Sequence, residues 1–231
     1  MFTVMIGVLL GFWIYKGFYT QVTAGSVEKK VLNLKQVVCT RSVASKVGTT
    51  EQSKKMNVAF VIAPKNFRDE EFYIPFKYFK EHGWCCNVFS ISRECRGMLG
   101  LLVKGVLPLE TLKERIDEFD LVYFAGGSGI LKIYNDKAYV NIAKLAYQKG
   151  KNIAAICLAP MILAEAGVIV GKKATVFACK DSLSLLEDKQ VEYVGEKIVF
   201  FTTQKGAKVF TAPGPKYAKE FAQFILRELQ R

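Results

Sequence analysis

Three features of this 231-residue chain have the residue types and positions to carry chemistry: one cysteine, one carboxylate and a pair of glycines. Cys157 follows the apolar run Ile153 to Ile156, which has the length of a buried strand, and precedes Leu158-Ala159-Pro160, where Pro160 suits the first turn of a helix over 159–166. A nucleophile on a tight strand-to-helix turn has the layout of a nucleophile elbow. Backbone N–H groups at such a turn, that of Leu158 among them, together with the helix dipole, favour a thiolate and predict a lowered thiol pKa. A buried cysteine that merely closes a strand fits the same local pattern.

Gly126-Gly127 follows a second apolar run, Leu121 to Ala125. Glycines there let the backbone approach a bound group, and their N–H donors could stabilise negative charge on a substrate oxygen. A turn that needs positive φ would also call for glycine. The segment GGSG lacks the spacing of a dinucleotide fingerprint, and no cofactor is expected. Glu71 lies just past a first apolar run, Val58 to Ala63, at the start of a helix over 69–82. A carboxyl reaching Cys157 from there would hydrogen-bond the sulfur when protonated and raise the thiol pKa when ionised. Its neighbours Asp69 and Glu70 read as surface residues that compensate the helix dipole.

The elements needed to bring these residues together are legible from Met56 onward. Apolar runs of strand length at 58–63, 84–91, 121–125 and 153–156 alternate with helical stretches at 69–82 and 130–150. That alternation predicts an α/β three-layer sandwich with a mainly parallel sheet covered on both faces. Short β-rich runs at 191–194, 198–202 and 208–211 precede a closing helix over 216–229. In such a sheet the ligand crevice lies beyond the carboxyl ends of the strands, where Glu71, Gly126 and Cys157 all fall.

Composition narrows the rest. Residues 1–55 hold eight Lys/Arg against two acids, half of the formal net charge of +12, so the body of the chain is only mildly basic. It carries no basic stripe interleaved with aromatics, which argues against nucleic acid as a partner. The six cysteines form no CxxC pair and have a single histidine, His82, to join them, so no metal site is expected. Cys85, Cys86 and Cys179 read as buried free thiols, whereas Cys39 and Cys95 lie in polar contexts that suggest exposure.

Residues 1–25 form a signal or anchor segment. Residues 2–15 are uncharged and almost wholly apolar, long for a signal-peptide core and short for an unaided span. Val22 and Ala24 suit cleavage and export. The lysines that follow the run suit a membrane anchor with the body left in the cytoplasm. A third reading takes Met56 as the start of a cytoplasmic protein. Any membrane contact is expected through residues 2–15 alone. Residues 26–55, rich in Ser, Thr and Lys, read as a linker to the domain 56–231.

Five segments in order, Asn66 to Pro75, Gly126-Gly127, Ala154 to Pro160, Ala164 to Thr175 and Thr211 to Pro215, resemble the PfpI/DJ-1 superfamily. The resemblance implies a flavodoxin-like sheet related to class I glutamine amidotransferases, a homodimer, Cys157 as nucleophile and Glu71 as its carboxyl partner. It departs from the pattern where protease-like members place a histidine directly after the cysteine; here that residue is Leu158, and a downstream histidine is replaced near Phe177. With no imidazole to serve as base, peptide hydrolysis is in doubt. The functions that remain are attack on small reactive carbonyls, as a glyoxalase- or deglycase-like enzyme, or PfpI-type hydrolysis of a peptide-like substrate. The alternatives are a cysteine-based redox or stress sensor and a non-catalytic, chaperone-like binding module.

Overall fold

The computed structural model describes residues 30–34 and 55–231. The apolar run 2–15 and Cys39 lie outside the described residues, and among the described residues no helix is long and apolar enough to cross a membrane. In chain order the elements are β1 (Val31–Asn33), β2 (Asn57–Val61), β3 (Lys65–Phe67), α1 (Asp69–Glu81), β4 (Cys85–Ser90), β5 (Glu94–Gly97), β6 (Leu102–Lys104), β7 (Leu107–Pro108), α2 (Leu109–Glu114), β8 (Leu121–Phe124), α3 (Lys137–Gln148), β9 (Asn152–Ile156), α4 (Pro160–Glu165), β10 (Lys173–Ala174), α5 (Lys180–Asp188), β11 (Glu192–Tyr193), β12 (Val199–Thr202), β13 (Lys208–Ala212) and α6 (Ala218–Gln230).

The main sheet has the order β12-β13-β9-β8-β2-β4-β7, and every pairing in it is parallel except that of the edge strand β12 with β13. Its central strands β2, β8 and β9 are apolar and buried on both faces, as parallel strands under two helical layers must be. Helix α1 packs on α6, and α2, α3 and α4 pack in series to form the other layer. Phe60 of β2 meets Phe72, Phe76 and Phe79 of α1 at ring-centroid distances of 5.6–6.1 Å, and Tyr123 of β8 meets Phe221 of α6 at 6.0 Å. Aromatic rings bury large areas per residue, and this cluster fixes α1 against the sheet. From β2 the chain winds to β4 and β7 on one side, then returns to β8, β9 and β13 on the other. The strand order therefore reverses between β2 and β8, the place where open α/β sheets bind ligands.

Two details differ from the pattern expected of the sequence. The stretch 26–55, read as a linker, contributes β1, which pairs in parallel with β6 to complete a small sheet of order β1-β6-β5-β3. The helical period over 130–150 is broken into a 3-10 turn, Ser128–Lys132, and α3, because Asp136 caps a fresh helix by accepting the Ala138 N–H at 2.8 Å.

Candidate active site

The three loops at the strand-order reversal converge on Cys157. Cys157 follows β9 in the left-handed region at φ 64°, a conformation that costs a residue with a side chain on the order of 1–3 kcal/mol unless its surroundings enforce it. Here they do. Its N–H donates to Ala212 O at the end of β13, and its carbonyl accepts from Phe177 N–H, both at 2.8 Å. The elbow is thus pinned from two sides, and Pro160 opens the six-residue helix α4 behind it.

Glu71, in the first turn of α1, is fully buried. Its two oxygens are sealed from water with no well-formed hydrogen bond, and their polar neighbours are the Cys157 thiol and the Gly126 N–H. Gly126 sits between the two groups: a Cβ there would lie 2.5 Å from Glu71 Oε2 and 2.6 Å from Cys157 Cβ, so only glycine lets the carboxyl and the thiol share this space. Gly127, at φ 110°, packs on the backbone of Asn66 to Arg68, and Arg68 N–H donates to Gly126 O at 2.9 Å. The loop after β8 is thereby joined to the turn that starts α1.

Electrostatics set the protonation of the pair. Burial is the main cause that lifts the Glu71 carboxyl to about 8, and the thiol contact, the Arg68 charge and the Gly126 N–H offset only part of it. At neutral pH Glu71 is therefore a neutral acid, able to donate through one oxygen and accept through the other. Cys157 is also raised, first by burial and then by the charge of Glu71 when ionised, while the N–H groups of Gly127 and Leu158 favour its thiolate. The lowered thiol pKa expected of a helix start is not found: α4 is too short to carry much dipole, and desolvation outweighs two N–H donors. The proton of Cys157 must be passed to a partner, and Glu71 is the titratable group beside it.

All the residues singled out from the sequence, Cys157, Glu71, Gly126, Gly127 and Leu158, come together here. The neighbours fare differently. Asp69 is not a surface acid: it is buried, and its carboxylate accepts from the N–H groups of Leu99 and Leu101 at 2.8 Å each, which ties the loop after β5 to the start of α1. Glu70 stays partly exposed and pairs with Arg68. Cys95 is buried rather than exposed, and Cys85 is disulfide-bonded rather than a free thiol. Cys86 and Cys179 are free and half-buried. His82 ends α1, exposed, with Nδ1 2.8 Å from Tyr78 O and its ring 4.2 Å from that of Tyr78. It belongs to the end of α1 opposite Glu71 and supplies no imidazole to the site. Sequence reasoning missed Tyr123, whose hydroxyl donates to Glu71 O at 3.0 Å; it was hidden inside an apolar run that reads as a plain core strand. Among the described residues no group of three or more His, Cys, Asp or Glu side chains is placed to hold a metal ion.

Comparison with known proteins identifies the family and the fold. An uncharacterized protein of Methanocaldococcus jannaschii is 32% identical over 183 residues, which span 78% of this chain and 86% of that protein. A deglycase of Pyrococcus horikoshii is 30% identical over 174 residues, 74% of this chain and 99% of the relative. Among solved structures, a ThiJ/PfpI domain protein from Brachyspira murdochii superposes with a TM-score of 0.68 at 26% identity, covering 76% of this chain and 97% of its own. The family model for DJ-1/PfpI matches residues 56–228. The match takes in all three converging loops and the sheet that carries them, and the chain belongs to the DJ-1/PfpI family.

Proposed function

We propose that the protein acts on small reactive carbonyls, with Cys157 as nucleophile and Glu71 as the acid and base that moves protons for it. The observation that carries this reading is the neutral, buried Glu71 carboxyl beside an elbow cysteine whose sulfur faces the Gly127 and Leu158 N–H groups. Deglycases among the relatives support the same substrate class.

The chemistry closes without an imidazole. As the sulfur of Cys157 bonds to the aldehyde carbon of a 2-oxoaldehyde, the thiol proton passes to one oxygen of Glu71 and the Glu71 proton passes to the carbonyl oxygen. The product is a hemithioacetal, with Glu71 again neutral and the N–H groups of Gly127 and Leu158 facing the polarised oxygen. In a second exchange Glu71 takes the hydrogen of the carbon bound to sulfur and gives its own proton to the ketone oxygen, forming an enediol; in a third it takes the hydroxyl proton from the carbon bound to sulfur and gives its own to the adjacent carbon, leaving a thioester of a 2-hydroxy acid with Glu71 again neutral. Water then releases the acid and restores the thiol. An unactivated amide is a poorer substrate, since its nitrogen leaves only when protonated by a well-placed acid, and Leu158 stands where an imidazole would have to be.

Incubating the purified protein with methylglyoxal tests the reading. Cys157-dependent formation of lactate, lost in Cys157→Ala, is the expected result. Equal activity in both proteins, or none in either, would contradict it.

A further inference from the structure

Glu71 owes its position to an interruption in its own helix. The carbonyl of residue 71 would ordinarily accept the N–H of residue 75, but that residue is Pro75, inside α1, and proline has no N–H to give. The proline ring also crowds the carbonyl four residues earlier and tilts it away from the helix axis. A buried carbonyl left in that state costs about 1–3 kcal/mol unless another donor reaches it. Tyr123 provides that donor. Its hydroxyl sits 3.0 Å from Glu71 O, and its ring is fully buried between Phe60 at 4.9 Å and Phe221 at 6.0 Å. Tyr123 belongs to β8, the strand that runs into Gly126 and Gly127. One hydroxyl thus links the turn that carries the carboxyl to the strand that carries the N–H donors.

We propose that Tyr123 is a positioning residue, whose hydroxyl takes the carbonyl vacated by Pro75 and so holds the Glu71 carboxyl over Cys157. The inference rests on the pairing of Glu71 with Cys157 described above, but not on any particular substrate. The charged and titratable groups around Glu71 are Cys157 after β9, Arg68 and Glu70 at the start of α1, and Tyr123 itself. The Tyr123 phenol is held well above its ordinary value, first by burial and then by the charges of Glu71 and Cys157, so it remains a donor throughout the working range. Without that bond the first turn of α1 would be free to swing its carboxyl toward water, and the carboxyl would titrate closer to an ordinary acid.

The test measures the rate of Cys157 alkylation by iodoacetamide against pH, which reads the pair without any turnover. Tyr123→Phe keeps the ring and removes one O–H. It should displace the inflection from about 8 by roughly half a pH unit or more, or abolish it where the carboxyl leaves the sulfur altogether. Pro75→Ala returns a main-chain N–H to the carbonyl of Glu71, so Pro75→Ala combined with Tyr123→Phe should regain the wild-type profile, and Pro75→Ala alone should retain it. A merely structural tyrosine would lower the melting temperature and leave the profile in place, and that result overturns the proposal. A profile shifted by Tyr123→Phe that Pro75→Ala does not restore overturns it as well. If instead Glu71→Gln leaves the wild-type profile unchanged, the pairing of Glu71 with Cys157 is what fails.

Discussion

Cys157 is buried and Cys86 half-buried, and in both desolvation is the first cause that lifts the thiol above its ordinary value. Among the described residues, the sulfur of Cys86, on β4, meets the Trp84 carbonyl at 3.8 Å, and the charge that eases its ionisation is that of Lys80. Cys95, buried on the inner strand β5 of the small sheet, is similar: its sulfur lies 3.5 Å from Ser92 O. Cys157 differs in three ways: its backbone is held in a left-handed turn, two N–H groups face its sulfur, and a carboxyl able to exchange protons lies against it. Burial alone makes a thiol inert, because it penalises the thiolate without offering the proton anywhere to go. A buried acid held neutral turns the same desolvation to use.

The largest effect that would sharpen this contrast is in turnover. Cys157→Ala should reduce methylglyoxal conversion to background, whereas Cys86→Ala should leave it within about two-fold of wild type, as expected for a site with no role in the chemistry. Comparable losses from both variants would erase the distinction. Next in size is Glu71→Gln, which keeps the shape of the carboxyl and removes its exchangeable acid–base function. General acid–base catalysis contributes typically about 10²–10⁴-fold, and a loss of kcat in that range is expected with KM little changed.

The smallest effect is on stability, and its sign follows from the raised carboxyl. In the unfolded chain Glu71 loses its proton near the ordinary value of 4.5, while in the folded protein it keeps the proton up to about 8. Across that window the folded state binds the extra proton, so the fold loses stability as pH rises, by at most roughly 1.4 kcal/mol per pH unit from this group. Glu71→Gln should flatten that slope between those two values in urea unfolding. A slope unchanged by the substitution would mean that the carboxyl is not buried in its charged form.

The candidate site residues are more legible in the sequence than the structure that supports them. Cys157, Glu71 and Gly126-Gly127 each follow a strand of unmistakable apolar length, and the rule that crevices lie at strand carboxyl ends brings them together without further information. The small sheet was not legible, since β1, β3 and β6 are three residues each and show no period long enough to register, and β1 lies in a stretch whose composition reads as linker. Asp69 reads as a dipole-compensating acid because its partners, Leu99 and Leu101, are main-chain groups thirty residues away with no side-chain signature. The thiol pKa reads too low from the sequence for a related reason: a helix start is visible there, but the depth of burial that outweighs it is a property of the packed fold. Pro75 was in plain view, four residues after Glu71, yet its meaning depends on Tyr123, which comes near only once β8 lies beneath α1.

The central claim is that Glu71 governs the proton of Cys157, and the pH dependence of Cys157 alkylation in wild type and Glu71→Gln tests it most directly. The wild-type rate should rise through an inflection near 8, where the shared proton leaves the pair. In Glu71→Gln that inflection should vanish, leaving only the higher ionisation of the buried thiol. An inflection that survives in Glu71→Gln would show that some other group controls the sulfur and would contradict the account.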